Sequence, residues 1–136
     1  MKKTLVISIL LILTLVSSIA IFAQDEVDPW QKAKESGVEF RAVGNGPSWW
    51  VEISGESSIK FVNHSGELEI KVPVDDVWFG PDGEDKIYYI ENEVIPFQVI
   101  VMKKEYQDTK SGEVYPYQVR VIFPELSYTG GGRMLN

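Results

Sequence analysis

Cysteine is absent from the 136-residue chain, and histidine occurs once, as His64. The first absence excludes a thiol nucleophile, a disulfide and the lipid-modified cysteine of a bacterial lipoprotein. A catalytic triad or a multi-histidine metal centre would depend on His64 alone. This histidine lies in the turn-forming sequence 63–66, so we interpret it as a solvated turn residue. We expect no catalytic residue, no metal and no cofactor.

Basic residues are also in deficit. The chain has 13 Lys and Arg against 20 Asp and Glu, which gives a net charge of −7. A surface of this sign repels nucleic acid and anionic lipid. It steers a basic protein toward the chain instead. Composition therefore excludes nucleic acid as a partner class and favours a basic protein.

The start of the chain has the layout of a secretory signal peptide. A short basic stretch precedes an almost unbroken apolar run over 4–21, and an acidic sequence follows Ala23. This order predicts a signal peptide over 1–23 that is cleaved after Ala23, with Ala20 as the second choice. A retained membrane anchor is the alternative, because the apolar run is nearly long enough to span a bilayer.

Cleavage would make the chain an exported domain, periplasmic or extracellular, with no membrane attachment. Loss of Lys2 and Lys3 leaves 11 basic residues against 20 acidic ones, a net charge of −9. Residues 24–136 are long enough for one domain with one hydrophobic core. They contain no linker or repeat that would indicate a second domain, and we expect a monomer.

From residue 39 onward the dominant hydrophobic period is two, which is typical of strands with one dry and one wet face. Before it, Asp28 and Pro29 form a start signal and Gly37 a stop signal for a helix over 29–36. We expect an all-β fold: a small antiparallel barrel of about eight strands with a short N-terminal helix, or a two-sheet sandwich. The barrel is preferred because closure removes exposed edges. The expected strands lie at 40–43, 49–53, 58–62, 68–74, 86–91, 97–103, 115–123 and 127–133.

A filled barrel interior is also predicted. The inward-facing side chains of three strands are bulky enough to fill a small lumen, which disfavours a ligand carried inside the barrel. These residues are Leu68, Ile70, Val72, Val99, Val101, Val119 and Val121.

Tryptophan supplies the first candidate binding residues. Trp49 and Trp50 are consecutive in a strand pattern, so their side chains point to opposite faces and one lies outside the core. Trp78 lies in an acidic loop that has little core to bury it. Exposed aromatic rings beside polar groups form sugar or protein contact sites, so these tryptophans are candidate ligand-binding residues. The alternative is a satellite cluster in which the outer tryptophan packs on the helix through Trp30.

Carboxylates are plentiful, but no two are clearly paired in the sequence. Residues 75–85 form an acidic loop whose oxygens suit calcium, although the alternating spacing of a calcium-binding loop is missing. We interpret this loop as solvated. A glycan hydrolase that uses two carboxylates is a further alternative, because the separation that its chemistry requires is not visible in a sequence.

Three short segments carry recognisable motifs. Residues 40–49 read FRAVGNGPSW, residues 106–116 read YQDTKSGEVYP, and residues 128–133 read YTGGGR. They resemble the R-A-x-G-N-E-P-x-W, C-x-D-x-M-S-G-x-x-Y-P and Y-x-G-C-G-R motifs of a widespread, functionally uncharacterised family of bacterial envelope proteins. The resemblance covers nearly all of residues 24–136. It implies a binding or maintenance role in the envelope.

The chain departs from these motifs at four positions. Tyr106 and Gly131 replace the two cysteines, Gly46 replaces a glutamate, and Lys110 replaces a methionine. The joint loss of both cysteines implies that they form a disulfide in relatives, so positions 106 and 131 are expected to be neighbours. Without this disulfide the chain loses a stabilisation of about 2–4 kcal/mol, while its fold is unaffected.

The family is also similar to small β-barrels among periplasmic lysozyme inhibitors and to META-type domains. Several such inhibitors present an S-G-x-x-Y loop to the cleft of the enzyme, and Ser111, Gly112 and Tyr115 have that spacing. The resemblance implies that these residues bind a basic, lysozyme-like protein, which the negative net charge would attract. The alternative is ordinary turn chemistry, with Tyr115 as the first core-facing aromatic residue of its strand.

Taken together, the sequence predicts an exported, non-catalytic binding or maintenance domain of the bacterial envelope. A periplasmic lysozyme inhibitor and a carboxylate-based glycan hydrolase are the alternatives. The expected partner is a basic protein or an envelope glycan. The candidate ligand-binding residues are Trp49, Trp50, Trp78, Ser111, Gly112 and Tyr115.

Overall fold

The computed structural model describes residues 27–55, 57–63 and 66–136. The signal peptide predicted over 1–23 and the turn residue His64 lie outside the described residues. Within these ranges the chain forms one helix, α1 (Pro29–Glu35), and eleven strands. The strands are β1 (Phe40–Asn45), β2 (Ser48–Ser54), β3 (Ser58–Asn63), β4 (Leu68–Pro73), β5 (Asp76–Phe79), β6 (Lys86–Ile90), β7 (Phe97–Met102), β8 (Tyr106–Gln107), β9 (Val114–Tyr115), β10 (Tyr117–Ile122) and β11 (Ser127–Met134).

Helix α1 begins where its sequence signal predicts. Asp28 caps it by accepting a hydrogen bond from the Trp30 N–H at 3.1 Å. Pro29 occupies the first helical position, where its missing N–H leaves no intrahelical bond unmade. The helix ends at Glu35, one residue earlier than expected. Gly37, two residues further on, has a φ of 88°, the left-handed conformation that is typical where a chain leaves a helix.

Nine of the strands form one antiparallel sheet that curls into a half-barrel. Their order is β4-β3-β2-β1-β11-β10-β7-β6-β5, and β8 and β9 form a separate two-stranded ribbon. The expected all-β fold with a short N-terminal helix is therefore confirmed. β1 and β11, the first and last strands in chain order, pair with each other in the middle of the sheet.

One continuous segment supplies both edges of this sheet. β4 pairs with β3, β5 pairs with β6, and just Val74 and Asp75 separate β4 from β5. The Val74 N–H donates to the Ser57 carbonyl at 3.0 Å, and the Asp75 N–H donates to the Tyr89 carbonyl at 3.1 Å. The segment thus crosses from one edge to the other. Residues 76–79, which we expected in a loop, form the edge strand β5.

The expected strand over 115–123 is divided into two pieces that belong to different sheets. Tyr115 ends β9 in the ribbon, and Tyr117 begins β10 in the half-barrel. Pro116 lies between them and has no N–H to donate to a ladder. The division removes Tyr115 from the strand that lines the core.

The interior of the half-barrel is filled with side chains. Of the expected lumen residues, five are buried in the core and Val72 packs partly against it. Leu68 is 36% exposed instead, because it begins an edge strand. The five buried residues are Ile70, Val99, Val101, Val119 and Val121.

Trp49 is a core residue, 2% exposed, and Trp50 points away from the core, as strand alternation predicts. The Trp49 indole lies on Gly44 and Gly130, and a Cβ at either position would overlap it or its surroundings. Its ring centre is 6.1 Å from that of Phe61. Glycine is required at these two positions because the indole occupies the space that a side chain would need.

Four hairpin connections meet at the same end of the half-barrel. The strand registers place the β1–β2, β3–β4, β6–β7 and β10–β11 connections there. Phe123 lies at this end, with its ring centre 5.0 Å from that of Phe97 and 5.1 Å from that of Phe61. We call it the Phe123 end.

Candidate functional site

The outer face beside α1 holds stacked cations and aromatic rings, which we call the Trp30 cluster. The Arg41 guanidinium lies 4.9 Å from the centre of the Trp30 ring and 5.8 Å from that of Trp50. The Arg133 guanidinium lies 4.6 Å from Trp30 and 5.0 Å from Tyr115. Trp50 is half-buried in this arrangement. The structure therefore has the expected alternative, a satellite cluster in which the outer tryptophan, Trp50, packs beside the helix through Trp30.

Two carboxylates accompany these arginines. Arg41 Nε donates to Glu52 at 3.3 Å, and Arg133 Nη2 donates to Glu113 at 3.1 Å. Burial lowers the pKa of Arg41, and the nearby Glu52 carboxylate opposes that effect. These carboxylates hold the two arginines in place, and both arginines stack on Trp30 of α1. The Trp30 cluster therefore packs the helix against the sheet.

Tyr115 belongs to the same cluster and is 2% exposed. Its ring stacks on Trp30 with centres 6.0 Å apart, and its hydroxyl donates to Glu113 at 2.9 Å. Burial, together with the hydrogen bond to Glu113, raises the pKa of Tyr115 to about 12. This burial corrects the expectation that Tyr115 offers contact surface to a partner.

Tyr106 lies directly opposite Tyr115 in the β8–β9 ribbon. The Tyr115 ring in turn lies against Gly131 of β11. The proximity of positions 106 and 131 themselves, which the motif resemblance implies, stays a prediction.

The turn that joins β8 to β9 is held by Asp108, which is 7% exposed. Its carboxylate accepts hydrogen bonds from the Asn45 amide and from the Ser111 hydroxyl, the latter at 2.8 Å. These bonds, that of Ser111 first, lower the pKa of Asp108. Ser111 Oγ also accepts from the Glu113 N–H at 3.2 Å. Ser111 and Gly112 are exposed, but the serine hydroxyl is committed to the turn.

Trp78 differs from the other candidates because its side chain is 61% exposed. Asp76 fixes its orientation: Oδ2 accepts from the indole N–H at 2.8 Å, and Oδ1 accepts from the Val77 N–H at 2.9 Å. The ring of Tyr89 lies against the indole, with centres 5.9 Å apart and planes inclined by 66°. Trp78 is therefore an exposed aromatic ring that is held in one position.

Further apolar residues lie on the same face of the sheet as Trp78, from the edge strand toward the middle. Trp78 lies beside Ile87 in the register, Ile87 beside Ile100, and Ile100 beside Arg120. The alternate residues of β6 are buried, so Ile87 and its outward neighbours lie on the outer face. We call this area the Trp78 surface, and its residues are Asp76, Trp78, Ile87, Tyr89 and Ile100.

Sequence reasoning named Trp78 but missed the rest of this surface. The surface exists because β5 pairs with β6, and β5 itself has no clear strand period in the sequence. The alternation over 86–91 was the available signal, since it leaves Ile87 and Tyr89 on one face.

The carboxylates of the acidic segment 75–85 accept separate hydrogen bonds. Within the described parts of the chain, no group of three or more histidine and carboxylate side chains is placed to hold a metal ion. Asp75 accepts from the Glu91 N–H at 2.7 Å, Asp82 from the Glu84 N–H at 3.1 Å, and Asp85 from the Lys103 N–H at 2.8 Å.

Comparison with known proteins gives no match to this chain among family models, curated proteins or solved structures. Among the residues that the structure describes, no helix combines the length and apolar character needed to cross a membrane.

Proposed function

We propose that the chain is an exported, non-catalytic binding domain of the bacterial envelope, and that it binds an envelope glycan on the Trp78 surface. One observation carries this proposal. Trp78 is 61% exposed, yet its ring is held by Asp76 and Tyr89. A large exposed ring in a fixed orientation suits ligand contact, because little side-chain freedom is lost on binding.

The chemistry of the surface suits a sugar. A flat indole presents an apolar face to the C–H groups on one side of a pyranose ring. The Asp76 carboxylate lies beside the indole N–H and is an acceptor for sugar hydroxyl groups. Asp76 also covers the Val77 N–H at the edge of β5, which blunts that edge against addition of a peptide strand. The arrangement favours a ligand that lies on the face of the sheet.

The remainder of the molecule is consistent with a surface ligand. The interior is filled, since its seven largest fully buried side chains are less than 2% exposed. The resemblance of segments 40–49 and 106–116 to motifs of envelope proteins supports a location outside the cytoplasm. The seven largest fully buried side chains of the interior are those of Phe61, Ile53, Ile59, Val51, Val99, Val119 and Val121.

Co-sedimentation with insoluble cell-wall glycan tests the proposal. We expect the purified protein to sediment with the glycan, and we expect Trp78→Ala to weaken binding about tenfold or more, as loss of a central aromatic contact does. Val114→Ala is the matched control, because Val114 is 49% exposed on the ribbon, away from β5. Binding that survives Trp78→Ala, or no binding to any envelope glycan, would contradict the proposal.

Lysozyme inhibition is a second candidate function, supported by the turn between β8 and β9. Residues 109–112 are exposed, and Asp108 holds the turn in one shape. A stiff turn that projects from an acidic domain suits the cleft of a basic enzyme. Stoichiometric protein should then slow the lysis of cell walls by a lysozyme. The double variant with Thr109→Ala and Lys110→Ala alters the tip of the turn without removing the Asp108 side chain, and it should abolish the inhibition. Equal lysis rates with and without the parent protein would contradict this function.

A further inference from the structure

The Phe123 end carries two apolar pockets, and of their lining residues only Tyr89 also belongs to the Trp78 surface. One has a volume of about 410 Å³ and is lined by Leu68, Ile95, Leu126 and Tyr128 among others. The second has a volume of about 480 Å³ and is lined by residues of β6, β7 and their connection. Both pockets share Phe123 and Pro124, so they lie on the two sides of one ridge.

Apolar side chains at the rim of these pockets are exposed. Val94 is 85% exposed, Leu126 52% and Leu68 36%. Leu68, Leu126 and Ile95 line the pocket beside Phe123, and Val94 precedes Ile95 in the chain; we call the pockets and this rim the apolar mouth. Apolar side chains grouped around two pockets at one end of a domain indicate a contact surface.

Three of the four connections around the apolar mouth are acidic, and the fourth, 45–48, contains no charged residue. Sequences 45–48, 63–68, 90–97 and 122–127 contain no lysine or arginine. They contain four glutamates, each exposed and none in an ion pair among the described residues. We call these glutamates the acidic rim: Glu67, Glu91, Glu93 and Glu125.

The three connections that carry these glutamates contain no cation, whereas the Lys110 ammonium lies beside Gly46 in the fourth connection. Elsewhere, exposed glutamates do pair with cations: Lys60 with Glu69, and Lys103 with Glu84. At the Phe123 end the strand registers bring four unpaired glutamates around an apolar surface. Each lacks a local counter-charge, so their fields add over the mouth.

We propose that the apolar mouth binds a cationic, amphipathic polypeptide segment of a partner. Apolar side chains of the segment enter the two pockets beside Phe123, and its lysines or arginines lie against the acidic rim. The pockets provide the apolar contact, and the four unpaired carboxylates select for positive charge and speed the encounter. A membrane surface fits less well, because anionic head groups would be repelled by the same carboxylates.

Binding of designed peptides to the purified protein tests this proposal. The probe is a fluorescently labelled 12-residue peptide of leucine and lysine. A serine–lysine peptide keeps its charge without apolar side chains, and a leucine–glutamate peptide keeps its apolar side chains with the opposite charge. We expect fluorescence anisotropy to show saturable binding of the first peptide alone, weakened by raising the salt concentration. Equal binding of the serine–lysine peptide, or tighter binding to lipid vesicles than to the peptide, would overturn the proposal.

Two pairs of variants assign the binding to this end. Leu126→Ser with Val94→Ser should raise the Kd about tenfold through lost apolar contact. Glu93→Gln with Glu125→Gln should raise the Kd about fivefold at low salt and have little effect at high salt. The matched controls are Val114→Ser and Glu105→Gln, an exposed valine and an exposed glutamate outside the Phe123 end. If the controls weaken binding as much as the test variants do, the site lies elsewhere and the proposal fails.

Discussion

The ring of Tyr115 lies directly against Gly131, so that a Cβ at residue 131 would be 2.6 Å from Tyr115 Cγ and 2.8 Å from Tyr115 Cβ. Gly131 is in the middle of β11, and Tyr115 comes from the separate β8–β9 ribbon. The contact therefore joins the ribbon to the half-barrel.

A methyl group at residue 131 should destabilise the domain. Gly131→Ala forces the Tyr115 ring outward, and overpacking of this kind costs about 1–3 kcal/mol in the free energy of unfolding. Urea denaturation followed by fluorescence measures the change. Gly46→Ala is the control, because a Cβ there would make just an ordinary contact at 3.6 Å with Lys110. Equal stability of the Gly131→Ala variant and the parent would contradict the contact.

Tyr115 should be the source of an alkaline transition. Its folded-state pKa of about 12 lies above the unfolded value of 10.0, so the stabilisation is complete below pH 10 and is lost as the pH rises toward 12. Absorbance of phenolate at 295 nm measures the titration. Tyr115→Phe should remove from the titration curve of the folded protein the step near pH 12. A curve that Tyr115→Phe leaves unchanged apart from amplitude would contradict this assignment.

Asp108 should confer the opposite pH dependence. Its folded-state pKa is lowered, so its stabilisation is present above the unfolded pKa of about 3.9 and is lost as the pH falls through the folded value. Asp108→Ala leaves the Asn45 and Ser111 partners without their acceptor and should cost about 1–3 kcal/mol at pH 7. That difference from the parent should shrink at pH 3. Glu105→Gln, an exposed change, should alter stability little at either pH, and a pH-independent loss in Asp108→Ala would refute the role of the charge.

Export can be checked directly on the protein recovered outside the cytoplasm. Cleavage after Ala23 should give a mature chain that starts at Gln24, because a small residue follows the apolar run at that point. Intact-mass spectrometry of the exported fraction distinguishes this product from cleavage after Ala20 and from the full chain. A chain that retains Met1 in that fraction would show that the segment is a membrane anchor.

The strand pattern was readable from the sequence wherever alternation was long. Period-two runs placed the strands that contain Val51, Val99 and Val121, and alternation put Trp49 and Trp50 on opposite faces without showing which of them is buried. β5 was not readable, because four residues with two exposed aromatic side chains have no clear period. Its existence depends on pairing with β6, which follows it after a six-residue connection that the sequence also marks as a turn.

The candidate surfaces were harder to predict because they depend on tertiary pairing. The sequence shows that Trp78 is in an acidic segment, but the indole is fixed by a hydrogen bond to Asp76 that only the strand conformation permits. Tyr115 was misplaced because Pro116 transfers it from the core strand to the ribbon. The acidic rim consists of glutamates from three separate connections, and the strand order alone brings these together.

The pairing of β1 with β11 bears on when this domain is able to fold. Phe40 lies opposite Met134 in the register, and β11 joins the half made of β1 to β4 to the half made of β5, β6, β7 and β10. A polypeptide whose last strand has not yet emerged from the ribosome lacks the β1–β11 and β10–β11 pairings, so that only the β4–β5 segment links these halves, and the long-range pairing makes assembly slow. The nascent chain would thus remain unfolded while it is synthesised. Translocation machinery that threads unfolded polypeptides requires its substrates in that state.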